Sequence, residues 1–239
     1  MRYSISILVL FFALIACSTD SQDTMNLSGN IKGLKRGTLL LQKFEDTVLV
    51  TVDSVKLEGK SEFKFSERVE SPEIYYLYVQ IKDGSLKDDR ITFFGEPGNI
   101  EINTYLKHFG SGANISGSKN DSILRDYYKI KQRYISKNLE IIEKSLKSKK
   151  LSDSASDKFR EQQLRLGSNK YLATINFAIN NNEYEVAPYL VLSEAYNANV
   201  KYLDTVYNVL SPKVKDSKYG KELESFIKER KKLDTIVAR

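Results

Sequence analysis

Two periods divide the chain. From about residue 27 to residue 118, apolar and polar residues alternate in short runs; beyond that, apolar residues recur every three or four positions. NLSGNIKG and GTLLLQKF read as two strands joined by a turn at Gly33-Leu34-Lys35-Arg36-Gly37, and TVLVTVDSVKLEG and KSEFKFSE as two more joined at Glu58-Gly59-Lys60. In PEIYYLYVQI, Tyr75, Leu77, Val79 and Ile81 alternate with Ile74, Tyr76, Tyr78 and Gln80, the mark of a strand packed on at least one face. RITFFGEPGNIEINT reads as a hairpin, with Pro97 at the second turn position and Gly98 at the third, where a type II turn needs positive φ. ANISGS is a last extended piece. Short strands at this spacing predict an antiparallel β-sandwich or a partly open barrel over residues 27–118.

At Ser118-Lys119-Asn120-Asp121 the period lengthens, and any of these polar side chains suits a helix start. Leu124, Tyr128, Lys131, Ile135, Leu139, Ile142 and Leu146 then follow at steps of three and four, predicting one long amphipathic helix. KSKKLSDSASD is a charged break. A second helix is expected over about 158–181, with Leu164, Tyr171, Leu172, Ile175 and Ala178 on one side. A third opens near Pro188, turns near Asn197-Ala198-Asn199 and stops at Ser211-Pro212; a last one covers about 217–233. Residues 119–239 thus form a helical domain, and the fold class is α+β with segregated halves.

The N-terminus, MRYSISILVLFFALIAC, has one basic residue, an apolar run too short for a comfortable bilayer span and a small residue before Cys17, which is the layout of a cleaved secretory signal. Leu14-Ile15-Ala16-Cys17 also resembles the bacterial lipobox, in which the thiol receives diacylglycerol and the new amine is acylated. On this reading residues 1–16 are a lipoprotein signal peptide, Cys17 is the lipidated residue and residues 17–26 form a tether. Acylation consumes the chain's single cysteine, leaving no thiol for a disulfide or a redox couple. Ser18, where some lipoproteins carry Asp, resembles the signal that sends them to the outer membrane, so the expected location is that membrane, on its periplasmic face or at the cell surface.

Apolar residues make up 41% and charged residues 28%, which describes an ordinary globule. The net charge of +6 is uneven. Residues 18–118 hold 12 basic against 15 acidic side chains, and residues 119–239 hold 24 against 16. An exported protein whose basic residues are interspersed with acidic ones is not expected to bind nucleic acid; a solvated helical surface accounts for the excess.

NLSGNIKG with GTLLLQKF, then VDSVKLEGKSEFKF, ITFFGEPGNIEINT and ISGSKNDSILRDYYKI, taken in that order, resemble an N-terminal domain of unknown function found on exported Gram-negative lipoproteins, usually ahead of a thioredoxin-like (AhpC/TSA-type) domain. YLDTVYNVLSPKVKDSKYGKELESFIKERKK resembles the segment that precedes the thioredoxin-like domain. The resemblance covers most of residues 27–232. No thioredoxin-like segment with its CxxC is expected before Arg239, so no redox role and no catalytic residue carries over from the family.

Other chemistry finds little support in the residues. His108, the sole histidine, lacks a cysteine partner and companions for a zinc site, and Ser111 and Ser116 stand in no nucleophile context. Gly95-Glu96-Pro97-Gly98 is a turn rather than a phosphate cradle. Asp83, Asp88 and Asp89 miss the spacing of a calcium loop, and Glu96 with Glu101 do not by themselves define a hydrolytic pair. Tyr75, Tyr76 and Tyr78, with Phe93 and Phe94, either fill a core or offer an aromatic platform. The expectation is a non-enzymatic outer-membrane lipoprotein, without metal or cofactor, acting as an interaction module on an unknown envelope protein. The alternatives are a lipoprotein that binds glycan or peptide through Tyr75, Tyr76 or Tyr78, and an accessory partner of a separate thioredoxin-like oxidoreductase.

Overall fold

The computed structural model describes residues 23–81, 89–147 and 153–237. Cys17 and its signal, as well as Asp83 and Asp88, lie outside the described residues. Among the described residues eight strands come first: β1 (Thr24–Lys32), β2 (Arg36–Glu45), β3 (Val48–Glu58), β4 (Glu62–Arg68), β5 (Glu73–Gln80), β6 (Ile91–Gly95), β7 (Gly98–Tyr105) and β8 (Asn114–Ser116). Six α-helices follow among the described residues: α1 (Lys119–Lys147), α2 (Asp153–Asn180), α3 (Val186–Glu194), α4 (Val200–Val209), α5 (Pro212–Asp216) and α6 (Lys218–Val237).

The strands make two four-stranded sheets, in the orders β4-β1-β7-β8 and β3-β2-β5-β6. Neither closes on itself. The inward residues of both, among them Met25, Leu27, Leu39, Leu41, Phe63, Leu77, Phe93 and Ile102, share one core. Alternation along each strand therefore does what period two demands, sending every second side chain inward. Ile74, Tyr75, Leu77 and Val79 of the alternating strand are buried; Tyr76, Tyr78 and Gln80 lie on the outer face, half-buried, and Ile81 is exposed.

The turns at 33–35 and 59–61 do not close hairpins. Each carries the chain from one sheet to the other, and so does the turn at Glu96-Pro97. Gly98 has φ of 121°, the left-handed conformation expected of that turn, but β6 and β7 part company there instead of pairing. A second departure follows. β1 pairs antiparallel with β4 and parallel with β7, Met25 beside Gly98 through Lys32 beside Tyr105. Strand patterning reveals which residues face inward but not which neighbour a strand selects, so the parallel pair has no local signature.

By backbone contacts the chain forms two units, residues 23–70 with 75–117, and residues 71–74 with 118 onward. Within the second, Ser118 caps α1 by accepting from the Asp121 N–H at 3.0 Å. Asn120 donates to Glu185 at 2.9 Å and accepts from the Val186 N–H at 2.9 Å, holding the start of α3 to the start of α1. The core of this unit joins Ile175 and Ala178 of α2 to Ala187 and Val191 of α3, Leu203 and Val206 of α4 and Leu223 and Ile227 of α6. Pro188 sits in the first turn of α3, where a missing N–H costs nothing. Asn199 and Ser211 cap α4 and α5.

The apolar stripe expected along α1 is buried only at its base, at Ile123, Leu124 and Tyr127. Ile135, Leu139 and Leu146 are 41%, 59% and 61% exposed. On α2, Leu164 and Leu172 are exposed as well.

Candidate functional site

The outer face of the second sheet is set by register. Thr38 stands opposite Gln80, Leu40 opposite Tyr78 and Gln42 opposite Tyr76, while on the other flank Lys56, Ser54 and Thr51 oppose the same three β2 residues. Phe44 extends this row toward the strand end. The face runs roughly 20 Å along β2, at about 3.4 Å per residue. A bulge between Leu41 and Gln42, where β3 inserts Val52, keeps Thr51 on the same face as Gln42.

At one end of this face the aromatic side chains interlock. Phe44 and Tyr76 meet edge to face, with ring centroids 5.6 Å apart at 87°. The Arg90 guanidinium lies 4.6 Å from the centroid of the Tyr76 ring and donates to the Tyr78 hydroxyl at 2.9 Å. An edge-to-face pair contributes ~1 kcal/mol beyond its buried area, and a cation over a ring ~0.5–1 kcal/mol at an exposed site. Burial raises the Tyr76 hydroxyl above its ordinary value, while nearby Arg90 opposes the shift. The Tyr78 hydrogen bond holds Arg90 even more firmly protonated than usual. Gln42 donates to Thr51 at 2.8 Å, and its Oε1 is shielded without a hydrogen-bond partner among the described residues.

At the other end lies a pocket of about 600 Å³, lined by Arg36, Thr38, Lys56, Glu58, Gln80 and Ile81. Lys56 and Glu58 are 3.0 Å apart. The face thus offers a fixed cation and rings at one end and a charged hollow at the other.

The three tyrosines singled out by sequence are not equivalent here. Tyr75 is fully buried against Phe93, with centroids 5.9 Å apart, and takes no part in the surface. Tyr76 and Tyr78 are on the outer face. Phe44, Gln42 and Arg90 complete the cluster and were not singled out. Phe44 was legible as the alternate of Gln42 on one strand; Arg90 reaches the row from the residue before β6, which no local pattern reveals.

The remaining candidates are dispersed. His108 ends a 3-10 turn at Leu106–His108 and is exposed. Asp89 accepts from the Gly110 N–H at 2.8 Å and so staples a loop. Glu101 is exposed on β7 and accepts from Asn103. Among the described residues no group of three His, Cys, Asp or Glu is placed to hold a metal ion.

Residues 25–124 match the model of a domain of unknown function, DUF4369. The matched segment runs from β1 into the second turn of α1 and contains every residue of the face just described. It also coincides with the part of the chain whose strand and turn motifs resemble that N-terminal domain. No curated protein matches the chain.

Proposed function

We propose that the protein is a non-catalytic interaction module, lipid-anchored at Cys17 in the outer membrane, and that the outer face of its second sheet is the contact surface. The observation that supports this most is the row Phe44–Tyr76–Tyr78–Arg90, half-exposed aromatic side chains with a guanidinium already placed over a ring. Aromatic rings supply large contact area at low conformational cost, and rings and Arg are the side chains enriched among the anchors of protein interfaces. The edge-to-face contact of Phe44 with Tyr76 and the Arg90 hydrogen bond to Tyr78 order these side chains beforehand. The test is a photo-reactive residue at position 44 in intact cells, with exposed Lys64 on β4 as the comparison. Adducts at position 44 to one envelope protein, absent at position 64, are expected. Equal labelling at both positions ends the proposal.

A second reading, a lipoprotein that binds glycan or peptide on the same face, is favoured by the pocket at Arg36, Lys56 and Gln80. Its volume lies within the range of small-ligand sites. An extended ligand with an anionic end would lay its body over Tyr76 and Tyr78 and its charge at Arg36. Under this reading Arg36→Ala weakens ligand binding as much as Tyr76→Ala does. Under the protein-contact reading only Tyr76→Ala has an effect.

A further inference from the structure

The distal length of α1 carries an apolar seam that its own unit leaves in water. Tyr128, Ile135, Leu139 and Leu146 are 41%, 41%, 59% and 61% exposed, and Ile142 between them is half-buried. Together with Gln132, these residues are spaced 4, 3, 4, 3 and 4 apart. That is the 3.5-residue repeat of a helix that packs along another helix, with Tyr128, Ile135 and Ile142 at d positions and Gln132, Leu139 and Leu146 at a positions. α2 borders one flank of this seam across a hollow of about 280 Å³, lined by Tyr134, Ile135 and Asn138 of α1 and Gln163, Leu166 and Gly167 of α2. The seam therefore stays open along its outer side.

The flanking charges identify what fits it. Two residues border the seam at e positions with opposite signs, Lys129 near its start and Glu143 near its end. When two copies of α1 run antiparallel, Tyr128 lies over Leu146 of the second copy, Gln132 over Ile142 and Ile135 over Leu139. In that register Lys129 of each copy meets Glu143 of the other, twice by symmetry. A parallel pair would set Lys129 against Leu124 and Glu143 against Asn138, with no compensation. In the single chain both charges sit on the surface in exchangeable pairs, Lys129 with Asp126 at 2.8 Å and Glu143 with Lys147 at 2.5 Å. On the other flank the charge of Lys131 is already engaged by Glu194 at 2.6 Å, so it does not repel a second copy.

We infer that the α1 seam from Tyr128 to Leu146 binds a second copy of this chain, as an antiparallel, two-fold symmetric helix pair. Such a contact is self-complementary and closes at two subunits.

Cysteine cross-linking on the full chain tests it. Gln132→Cys and Ile142→Cys are each remote from themselves across the two-fold axis but adjacent to one another. With Cys17→Ser in every chain tested, the double variant under mild oxidation is expected to give a disulfide-linked product of twice the chain mass, while either single variant and the cysteine-free parent give none. Lys129→Glu should lower the yield roughly three- to tenfold, and adding Glu143→Lys should restore it. Circular dichroism confirms that each variant keeps its helices, since these positions are exposed or half-buried. Failure of the folded double variant to cross-link overturns the inference. So does cross-linking by the single variants, which indicates a parallel or random encounter, or capture of a different protein in place of the second copy. A yield indifferent to the charge exchange overturns the register.

Discussion

Tyr75 shows how tightly one residue is constrained by its neighbour. A Cβ on Gly95 would come within 2.4 Å of the Tyr75 ring and 3.0 Å of the Met25 sulfur, both in the core. Gly95→Val is therefore expected to destabilise the β unit by about 1–3 kcal/mol, the usual range for overpacking, read from the urea midpoint. Tyr127 makes a different kind of demand. Its hydroxyl shares a buried hydrogen bond of 2.8 Å with Thr174, and burial above all pushes its pKa up to about 12. The folded value lies above the unfolded one near 10, so the stabilisation is complete below pH 10 and drains away as pH rises through about 12. Tyr127→Phe should cost ~1 kcal/mol at neutral pH, and the parent should lose more stability than the variant between pH 10 and pH 12. At Arg90 the effect reaches the surface: Arg90→Ala removes both the ring contact and the Tyr78 hydrogen bond, and should weaken partner binding roughly tenfold, measured by titration against the photo-captured protein.

Between elements, the carboxylate of Glu194 at the end of α3 joins Lys131 of α1 at 2.6 Å and Lys170 of α2 at 2.9 Å. Burial, the largest influence, raises its pKa; hydrogen bonds and charge from the two lysines outweigh it and hold the group below the ordinary carboxylate value. Because the folded pKa is depressed, this stabilisation is present above the unfolded value near 4.5 and is lost as pH falls through the folded one. Glu194→Gln should cost about 1–3 kcal/mol at pH 7 and make the variant's stability flatter than the parent's below pH 4.5, by thermal melts. Most elements were legible in the chain. Period two set the strands, Ser118-Lys119-Asn120-Asp121 announced a helix start and Ser211-Pro212 a stop, while the short helix that Ser211 caps was not foreseen. What local pattern lacks is pairing partners. Turns at 33–35, 59–61 and 96–97 look like hairpin turns because the same residue types serve a sheet crossing, and the bulge at Val52 leaves no mark in composition. The stripe on α1 was legible as apolar but not as exposed, since periodicity records a face and not its occupant. At the candidate site, alternation put Tyr76 and Tyr78 on one side; Arg90 came from a distant segment and was invisible.

Across the whole molecule the proposed anchor and the described units answer to separate experiments. Alkyne-palmitate labelling in cells should mark the protein and vanish in Cys17→Ser; an unlabelled parent with a free thiol would remove the anchor while leaving the β face and the α1 seam to their own tests. The excess of positive charge in residues 119–239 belongs to the unit built around α1 and α2, which bear Lys137, Lys144 and Arg165 on their surfaces. One property of the first sheet bears on how the chain comes to be made. Its opening strand, β1, is flanked by β4 and β7, and Met25 has to wait for Gly98 before that flank is occupied. A chain emerging N-terminus first thus carries an uncovered strand edge through most of the β unit's synthesis, and any product cut short before Tyr105 keeps it. Holding factors that shield such edges should matter more to this protein's yield than to that of a hairpin-built sheet of equal length.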